Sequence, residues 1–327
     1  MNIRSLARCR VAGLLALALA LPALPAAAQL GEKPVRMIVP LTAGSTVDIV
    51  ARLMGNSLST SLGSPVIVEN LVGAGGVTGT AQLVKAPKDG MTLAMVSSNH
   101  VINPSIYKSV PFDSLGDITP ISVIGTVPLV LVAHPSVPAQ NLKELVALVK
   151  AKPGKINYGS AGNGSVLHLA GELLKSEAGG LDMMHVPYRG TGPLVTDLMG
   201  GQVDIGFVSV TAAASQIRSG RLRAIGVSTR TRSAILPDVP TLAEQGLPNY
   251  SFDAWLAVIG PAGLPKETVN RTHAALMSAL KSAEVREGLA TQGVALIGTT
   301  PDEARQFFKT ELDKHAALVK QSGATLD

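Results

Sequence analysis

The sequence predicts an α/β fold with two lobes. Three features point to it: strand–helix alternation, chain length, and turns rich in glycine and hydroxyl groups between the elements. Short apolar runs alternate with segments of helical period, which is typical of buried, mainly parallel sheets covered by helices. The roughly 300 residues beyond the N-terminal segment usually divide into two domains. The predicted strands are Val35–Val39, Val66–Glu69, Leu93–Val96, Ile156–Tyr158, Met184–Val186, Val203–Val208 and Leu222–Val227.

The N-terminal segment predicts export from the cytoplasm. Three arginines precede the apolar run Val11–Leu21, and small residues follow up to Ala28, after which we predict signal-peptide cleavage. Removal of those arginines lowers the formal net charge from +5 to +2 and leaves no basic run that would indicate nucleic-acid binding. Cys9 is the only cysteine and would leave with this segment, which excludes thiol chemistry and disulfides in the mature chain.

A long apolar stretch, Ile121–Ala133, suits a strand that crosses from one lobe to the other, because Pro128 interrupts it. Leu222–Ser228 is the expected return crossing. The predicted division is residues 1–28 as signal peptide, 29–125 with 230–327 as a discontinuous lobe 1, and 126–229 as lobe 2.

Four predicted strand ends lead into glycine- or hydroxyl-rich turns that open helices. The first, ending at Ser45, has capping-box spacing to Asp48. The others run from Ser160 to Ser165, from Arg189 to Thr191, and from Ser209 to Thr211. Unpaired N–H groups at a helix start, together with the helix dipole, attract a carboxylate or phosphate. Any one such turn could be only a helix cap, but four together favour an anion-binding cleft.

Enzyme signatures are weak in this sequence. It contains neither a dinucleotide-binding glycine motif with a following acid nor a G-x-S-x-G nucleophile elbow. His168 and Glu172 stand four residues apart on a helix, yet a third metal ligand is not evident, so a capped, partly buried histidine is the preferred interpretation. Arg189 either pairs with a ligand carboxylate or lies on the surface. Asp253, close before the only tryptophan, Trp255, either accepts a ligand ammonium, serves as a cap or lies in solvent.

Ordered motifs along the whole mature chain carry a family resemblance. They are Val39–Pro40 with the loop to Asp48, Asp89–Leu93, Ser160–Ser165 with His168–Glu172, Val186–Gly190, Gly200–Asp204, and Leu236–Thr241 with Glu244 and Gly246. On these residues the chain resembles the Bug family, the substrate receptors of tripartite tricarboxylate transporters. It departs from the family where Thr42–Ser45 replace the usual prolines and double glycine, and where Phe207 is followed by Val208 instead of an aspartate.

The resemblance implies a Venus-flytrap periplasmic binding protein: two α/β lobes joined by two crossing strands that close on a carboxylate held chiefly by backbone amides. The expected function is therefore that of a monomeric, non-enzymatic periplasmic receptor. It would capture an organic, aromatic or amino acid, without cofactor or metal, for transporter permease subunits or for a sensor. A periplasmic α/β enzyme acting on a carboxylate, and a structural or adhesive domain, remain the alternatives. The expected ligand-contacting residues are Leu41, Thr42, Ala43, Gly44, Ser45, Ser98, His100, Ser160, Ala161, Gly162, Asn163, Gly164, Ser165, His168, Arg189, Val208, Ser209 and Asp253.

Overall fold

The computed structural model describes residues 33–324, so the predicted signal peptide and its cleavage site lie outside the described residues. Strands and helices alternate as the sequence predicts, and each predicted strand is present with its ends moved by at most two residues. The strands are β1 (Val35–Val39), β2 (Val66–Asn70), β3 (Thr92–Ser97), β4 (Ile118–Ala133), β5 (Asn157–Ser160), β6 (Met184–Pro187), β7 (Ile205–Ser209), β8 (Arg223–Val227), β9 (Asp253–Pro261) and β10 (Ala295–Leu296).

The helices cover the faces of the sheets formed by these strands. They are α1 (Thr46–Leu62), α2 (Val77–Leu83), α3 (Asn99–Ile106), α4 (Leu142–Ala151), α5 (Val166–Glu177), α6 (Thr191–Met199), α7 (Val210–Arg218), α8 (Lys266–Lys281), α9 (Ala283–Thr291) and α10 (Pro301–Ser322). Within residues 33–324, none of them is both long and apolar enough to cross a membrane.

Strand β4 belongs to two sheets. Its first part, Ile118–Pro128, pairs antiparallel with β9, and its second part, Leu129–Ala133, pairs antiparallel with β7 and, from Val130, with β8. The partners change at Pro128, a residue without an N–H to give to a ladder. The predicted crossing at Ile121–Ala133 is therefore confirmed, and it links the two halves of the molecule.

The first sheet has the strand order β2-β1-β3-β9-β4-β10, with β1 parallel to β2 and β3. Both of its faces are buried, because alternate side chains of a strand point to opposite faces. Met37 and Val39 join one apolar cluster with α1 and α8, whereas Ile38 joins another with Trp255 and Phe308. This double burial explains why the strand sequences read as continuous apolar runs.

The second sheet has the order β8-β4-β7-β5-β6, with β5 parallel to β6 and β7. β8 lies wholly within it, so the expected return crossing at Leu222–Ser228 is wrong in position. After Ser228 the chain still packs on the apolar cluster of the second sheet through Leu236, Tyr250 and Phe252. The Phe252 N–H donates to the Ser228 carbonyl over 3.0 Å, and β9 then carries the chain back into the first sheet.

Contacts besides the strands also tie the halves together. Helix α10 places Phe308 in a cluster of the first sheet and Leu318 in the cluster of the second. Near the start of α7, the Thr211 hydroxyl donates to the Gln292 carbonyl over 2.8 Å, beside the turn that precedes β10. The molecule is thus two α/β lobes that share strand β4, are joined again where the chain enters β9, and meet at a narrow lateral contact.

Candidate ligand-binding site

A cavity of about 440 Å³ lies between the two sheets, where the first turns of five helices meet. The first lobe contributes the starts of α1 and α3, and the second lobe contributes the starts of α5, α6 and α7. The described residues that line it are Leu41, Gly44, Ser45, Thr46, Val47, Ser97, Ser98, Asn99, Val127, Leu129, Ala161, Ser165, Val166, Leu167, Thr191, Ser209, Ala212, Ala254, Trp255 and Leu256. Helix starts carry N–H groups without intrahelical acceptors, so they provide donors on both sides of the cavity.

Hydrogen bonds with Asp48 hold the turn that opens α1 in place. Ser45 is the N-cap, and its hydroxyl accepts from the Asp48 N–H over 3.3 Å. The predicted capping box is shifted by one residue, because the Asp48 carboxylate accepts from the Gly44 N–H and not from that of Ser45. Arg52 and Asn70 also donate to this carboxylate, each over 2.9 Å. Burial opposes its ionisation, but these hydrogen bonds outweigh burial and lower the pKa of Asp48.

Ser98, at the start of α3, is the unsatisfied polar group of the first lobe's wall. Its side chain is fully buried, and its hydroxyl has no hydrogen-bond partner among the described residues. The preceding Ser97 and the following Asn99 also line the cavity. An unpaired buried hydroxyl is costly unless a ligand or water meets it, so Ser98 marks a place where a ligand oxygen is expected.

The turn from Ser160 to Ser165 opens α5 and is braced by two stacked histidines. The Gly164 N–H donates to His168 Nδ1 over 3.0 Å, and the Gly162 N–H donates to the Ser160 hydroxyl over 3.1 Å. Ser160 Oγ in turn lies 2.7 Å from His185 Nε2. The rings of His168 and His185 stack with centroids 3.9 Å apart. Both histidines therefore support the turn from below instead of facing the cavity.

Both rings are neutral in this arrangement. Burial lowers the pKa of His168 despite the opposing charge of Glu172, and burial lowers the pKa of His185 to about 4. Nδ1 of His168 can accept the Gly164 amide only when it carries no proton. The Glu172 carboxylate accepts hydrogen bonds from Tyr158 and Lys175, so it does not form part of a metal site. The described residues contain no group of three potential metal ligands.

The floor of the cavity comes from the two strands that join the lobes. Val127 and Leu129 of β4, and Ala254 to Leu256 of β9, give it an apolar surface. Trp255 is fixed there because its indole N–H donates to Glu311 over 3.0 Å. No Asp, Glu, Lys, Arg or His stands among the described lining residues. The attraction for an anion must therefore come from helix starts and hydroxyl groups.

The cavity brings together part of the predicted site. Leu41, Gly44, Ser45, Ser98, Ala161, Ser165 and Ser209 line it. The other residues of the two turns stand beside it. Thr42, Ala43 and Asn163 are exposed, Gly162 is half-buried, and Ser160 and Gly164 are buried within the hydrogen bonds that support the second turn. His168 also supports the second turn, because it accepts the Gly164 N–H.

Four predicted residues lie away from the cavity lining. Arg189 is exposed, and Val208 is buried in the second sheet's core. His100 is buried next to a separate void of about 10 Å³, where its Nε2 donates to the Ser114 carbonyl over 2.7 Å; burial lowers its pKa to about 4. Asp253 is hydrogen-bonded to Thr126, and burial raises its pKa to about 6. For Val208, His100 and Asp253 the reason is burial that the sequence pattern alone does not reveal, whereas Arg189 takes the surface position that the sequence left open.

Sequence reasoning missed the floor and several first-turn residues. The missed positions are Thr46, Val47, Ser97, Asn99, Val127, Leu129, Val166, Leu167, Ala212, Ala254, Trp255 and Leu256. A usable signal existed, because a strand predicted to cross between lobes must form the bottom of the cleft between them. Identification of β9 as the second such strand would have added the remaining floor residues.

Two α/β lobes on shared strands, with helix starts around an uncharged interlobe cavity, define the solute-binding protein class. A family model for the tripartite tricarboxylate transporter family receptor matches residues 50–324. The chain belongs to this receptor family. Protein BugT of Bordetella pertussis is 38% identical over 296 residues, which are 90% of each chain. This confirms the resemblance to the Bug family found in the sequence motifs.

Solved structures agree with this assignment. The periplasmic binding protein BugD is 33% identical with a TM-score of 0.76, and the match covers 90% of this chain and 99% of BugD. The R. palustris protein Rpa4515, solved with adipate, is 29% identical with a TM-score of 0.79, and the match covers 90% of this chain and 98% of that protein. The predicted two-lobed periplasmic binding protein fold is therefore confirmed.

Proposed function

We propose that this receptor captures a small carboxylate in the interlobe cavity. The observation that carries the proposal is the convergence of five helix starts on a cavity whose described lining has no charged side chain. The first-turn amides of α1 and α5 would hold the carboxylate, assisted by the hydroxyl groups of Ser45, Ser165 and Ser209. Each of these hydroxyl oxygens, as a helix cap, already accepts a hydrogen bond from a backbone N–H. The hydrogen of the hydroxyl therefore remains free to donate to the ligand. The adipate-bound relative supports a carboxylate as the ligand class.

Capture occurs by closure of the two lobes around the ligand. We propose lobe 1 as residues 29–125 with 230–327 and lobe 2 as residues 126–229, and the packing of Leu236 to Phe252 on the second sheet favours extending lobe 2 up to β9. β4 and β9 act as the hinge. A ligand shifts the open–closed equilibrium only by its differential affinity for the closed form, and contacts to both lobes provide that difference.

We further propose that the receptor is a monomeric periplasmic protein without catalytic activity. It would deliver its ligand to the membrane subunits of a tripartite transporter, with a sensor as the second possible recipient. Ser160 and His185 come within 2.7 Å of each other, as a nucleophile and base would, but Ser160 is fully buried and does not line the cavity. This arrangement supports a structural role for the pair over hydrolysis of a bound substrate.

Thermal denaturation tests the carboxylate assignment. Each acid in a panel of mono- and dicarboxylates is paired with its amide, which cannot form the charge-assisted hydrogen bonds. A binding acid at a hundred times its Kd should stabilise the fold by about 2.7 kcal/mol, which raises the Tm by several degrees, whereas its amide should leave the Tm unchanged. An amide as effective as its acid would refute the proposal. Unchanged ligand in NMR spectra after prolonged incubation would support the absence of turnover.

A further inference from the structure

A second cavity, of about 480 Å³, lies on the opposite face of strand β4 from the proposed ligand cavity. Val127 and Leu129 line the ligand cavity, whereas the alternating residues Thr126 and Pro128 line the second cavity. Successive side chains of a strand point to opposite faces, so β4 separates the two cavities. The volume of the second cavity lies within the range that small-molecule sites in proteins occupy.

Both lobes contribute walls to the second cavity. Gly293 and Val294, from the turn between α9 and β10, belong to the first lobe, and Val294 is part of an apolar cluster of that lobe. The opposite wall comes from the segment between Thr229 and Ile235, which follows β8 and packs on the apolar cluster of the second sheet through Ile235. A molecule in the second cavity therefore contacts both lobes at once.

The second cavity, unlike the ligand cavity, has a charged side chain in its described lining. That residue is Arg232, and no Asp or Glu stands among the described lining residues. Its Nε donates to Glu244 over 3.0 Å and its Nη1 to the Pro237 carbonyl over 3.4 Å, whereas Nη2 has no hydrogen bond to any described residue. The pair with Glu244 is exposed, and exposed ion pairs contribute little stability, so an anion can compete for the guanidinium. The other nearby acid, Asp253, is hydrogen-bonded to Thr126 and lies outside the lining.

A second guanidinium lies at the rim of the second cavity. Arg218, at the end of α7, donates through Nη2 to the Ile235 carbonyl over 3.3 Å. This carbonyl is two residues from the Pro237 carbonyl that accepts from Arg232, so both guanidinium groups are anchored on one short segment. Residues 218–232 include five arginines and no acid. The charge on this side of the second cavity is therefore positive.

Hydroxyl and apolar groups complete the second cavity. Ser233 is buried, and its hydroxyl oxygen accepts from the Ile235 N–H over 3.3 Å, so the hydrogen of the hydroxyl remains available to a ligand. Pro128, Ile235 and Val294 provide apolar surface. Guanidinium and hydroxyl donors suit an oxyanion, and the apolar surface suits a hydrocarbon body.

We propose that the second cavity binds a small organic anion with an apolar body, held by the Arg232 guanidinium and the Ser233 hydroxyl. The ligand class is an oxyanion, such as a sulfonate, carboxylate or phosphate, carried by an aliphatic or aromatic group. This site is separate from the ligand cavity, so the inference does not rest on the proposed function. Because both lobes form the second cavity, an occupant opposes movements of the lobes that change its shape and thereby regulates capture.

Benzenesulfonate is the probe for this site, and benzenesulfonamide is its uncharged counterpart. Protein labelled with ¹³C at its methyl groups is titrated with each compound and followed by NMR. The methyl signals of Ile235 and Val294 report on the second cavity, and those of Val127 and Leu129 report on the ligand cavity. Benzenesulfonate should shift the signals of Ile235 and Val294 in a saturable manner and should bind there at least tenfold more tightly than benzenesulfonamide.

Three outcomes of this titration would overturn the proposal. They are saturable shifts confined to Val127 and Leu129, no saturable shift at any of the four residues, and equal affinity of the two compounds at Ile235 and Val294. None of these outcomes bears on carboxylate capture, which the thermal denaturation panel tests separately.

Two substitutions with the same change of charge test the anion contact. Arg232→Gln should weaken benzenesulfonate binding at Ile235 and Val294 about tenfold, because a hydrogen bond between charged groups is lost. Arg271→Gln, at an exposed position of α8 outside the described lining, should leave this affinity unchanged. Unchanged affinity in Arg232→Gln, or equal weakening in both variants, would refute the site. Circular dichroism melts establish that each variant is folded.

Discussion

Ser98 has a buried hydroxyl at the cavity wall without a hydrogen-bond partner among the described residues, so a substitution there separates the proposed ligand contact from a structural effect. Ser98→Ala should leave the Tm of the ligand-free protein unchanged or slightly raised, because no hydrogen bond is lost. Affinity for a bound carboxylate should fall roughly 10- to 100-fold, as expected for a hydrogen bond to a charged group. Calorimetry and thermal melts measure the two effects separately.

Ser228 provides the matched control for Ser98. It is equally buried, but its hydroxyl accepts from the Leu129 N–H over 3.1 Å. Ser228→Ala should therefore destabilise the ligand-free protein by about 1–3 kcal/mol. Unchanged carboxylate affinity in Ser98→Ala would show that the hydroxyl does not meet the ligand.

His185 makes the second binding turn sensitive to acid. Its pKa is about 4 in the fold and near 6.5 when unfolded, so between pH 6.5 and pH 4 the unfolded chain takes up a proton that the folded chain refuses. The stability that this difference contributes is fully present above pH 6.5 and is lost progressively as the pH falls from 6.5 toward 4. The charge of Lys175, and any charge on the stacked His168, disfavours protonation of His185, whereas the charge of Glu172 favours it. Tyr158 is the other titratable neighbour of His185.

His185→Gln tests this dependence. The Tm of the wild type should fall by about 2–4 °C more than that of the variant between pH 7 and pH 5. Asp253, whose pKa is raised, acts in the opposite direction, but it does so equally in both proteins and cancels in the comparison. The same substitution at His134, which contacts Ser136 near the surface, serves as the control. Parallel Tm curves for wild type and His185→Gln would contradict the assignment.

At the scale of elements, the glycine-rich turn before α5 depends on backbone conformation. Gly164 has φ +69°, and an added Cβ would lie 2.2 Å from Cδ1 of Ile106 in α3. Gly164→Ala should cost about 1–2 kcal/mol of stability for the left-handed backbone alone. It should also displace the turn and weaken carboxylate binding at least tenfold, since the amides no longer point into the cavity.

Gly180→Ala is the control for backbone strain. Gly180 has φ +77°, with open space around the position of an added Cβ, and it does not line the cavity. Its substitution should lower the Tm by a similar amount and leave the Kd unchanged. Equal Kd values for the Gly164 and Gly180 variants would show that the shape of the second turn does not control binding.

The sequence predicted the positions of strands and helices better than the tertiary contacts between them. Strand positions follow from apolar runs buried on both faces, and helix starts follow from Ser45, Ser165 and Ser209, whose caps are local interactions. The return strand was misplaced because β8 and β9 are both apolar, and only pairing with β4 distinguishes them. His100 and Asp253 looked functional because their burial depends on contacts with residues distant in sequence, such as Phe308 and Lys314.

At the scale of the whole molecule, the lateral contact between α7 and the turn before β10 offers a reversible lock. An added Cβ on Gly293 would lie 3.7 Å from Cβ of Thr211, close to the roughly 3.8 Å separation typical of a disulfide. Oxidised Thr211→Cys/Gly293→Cys protein should hold the lobes in their present arrangement. Its radius of gyration in small-angle scattering should then stay constant when a binding carboxylate is added.

After reduction, the radius of gyration should fall when the carboxylate is added. Each single cysteine variant should show the same fall in radius of gyration as the wild type. The engineered pair would be the only cysteines in the chain once the segment that contains Cys9 is removed. Identical compaction in the oxidised and reduced states would show that capture needs no movement at this contact.

The absence of charged side chains from the described lining of the cavity also determines how ligands arrive. Long-range steering by charged residues accelerates association by roughly 10- to 1000-fold at low ionic strength and fades as salt is added. Helix starts act only within about one turn, so they hold an anion without drawing it in from a distance. Raising the salt concentration from about 10 mM to about 150 mM should change the association rate constant less than about threefold. Trp255, the only tryptophan and part of the floor, provides the fluorescence signal for stopped-flow mixing. A receptor built in this way collects its ligand at nearly the same rate in dilute and in saline surroundings.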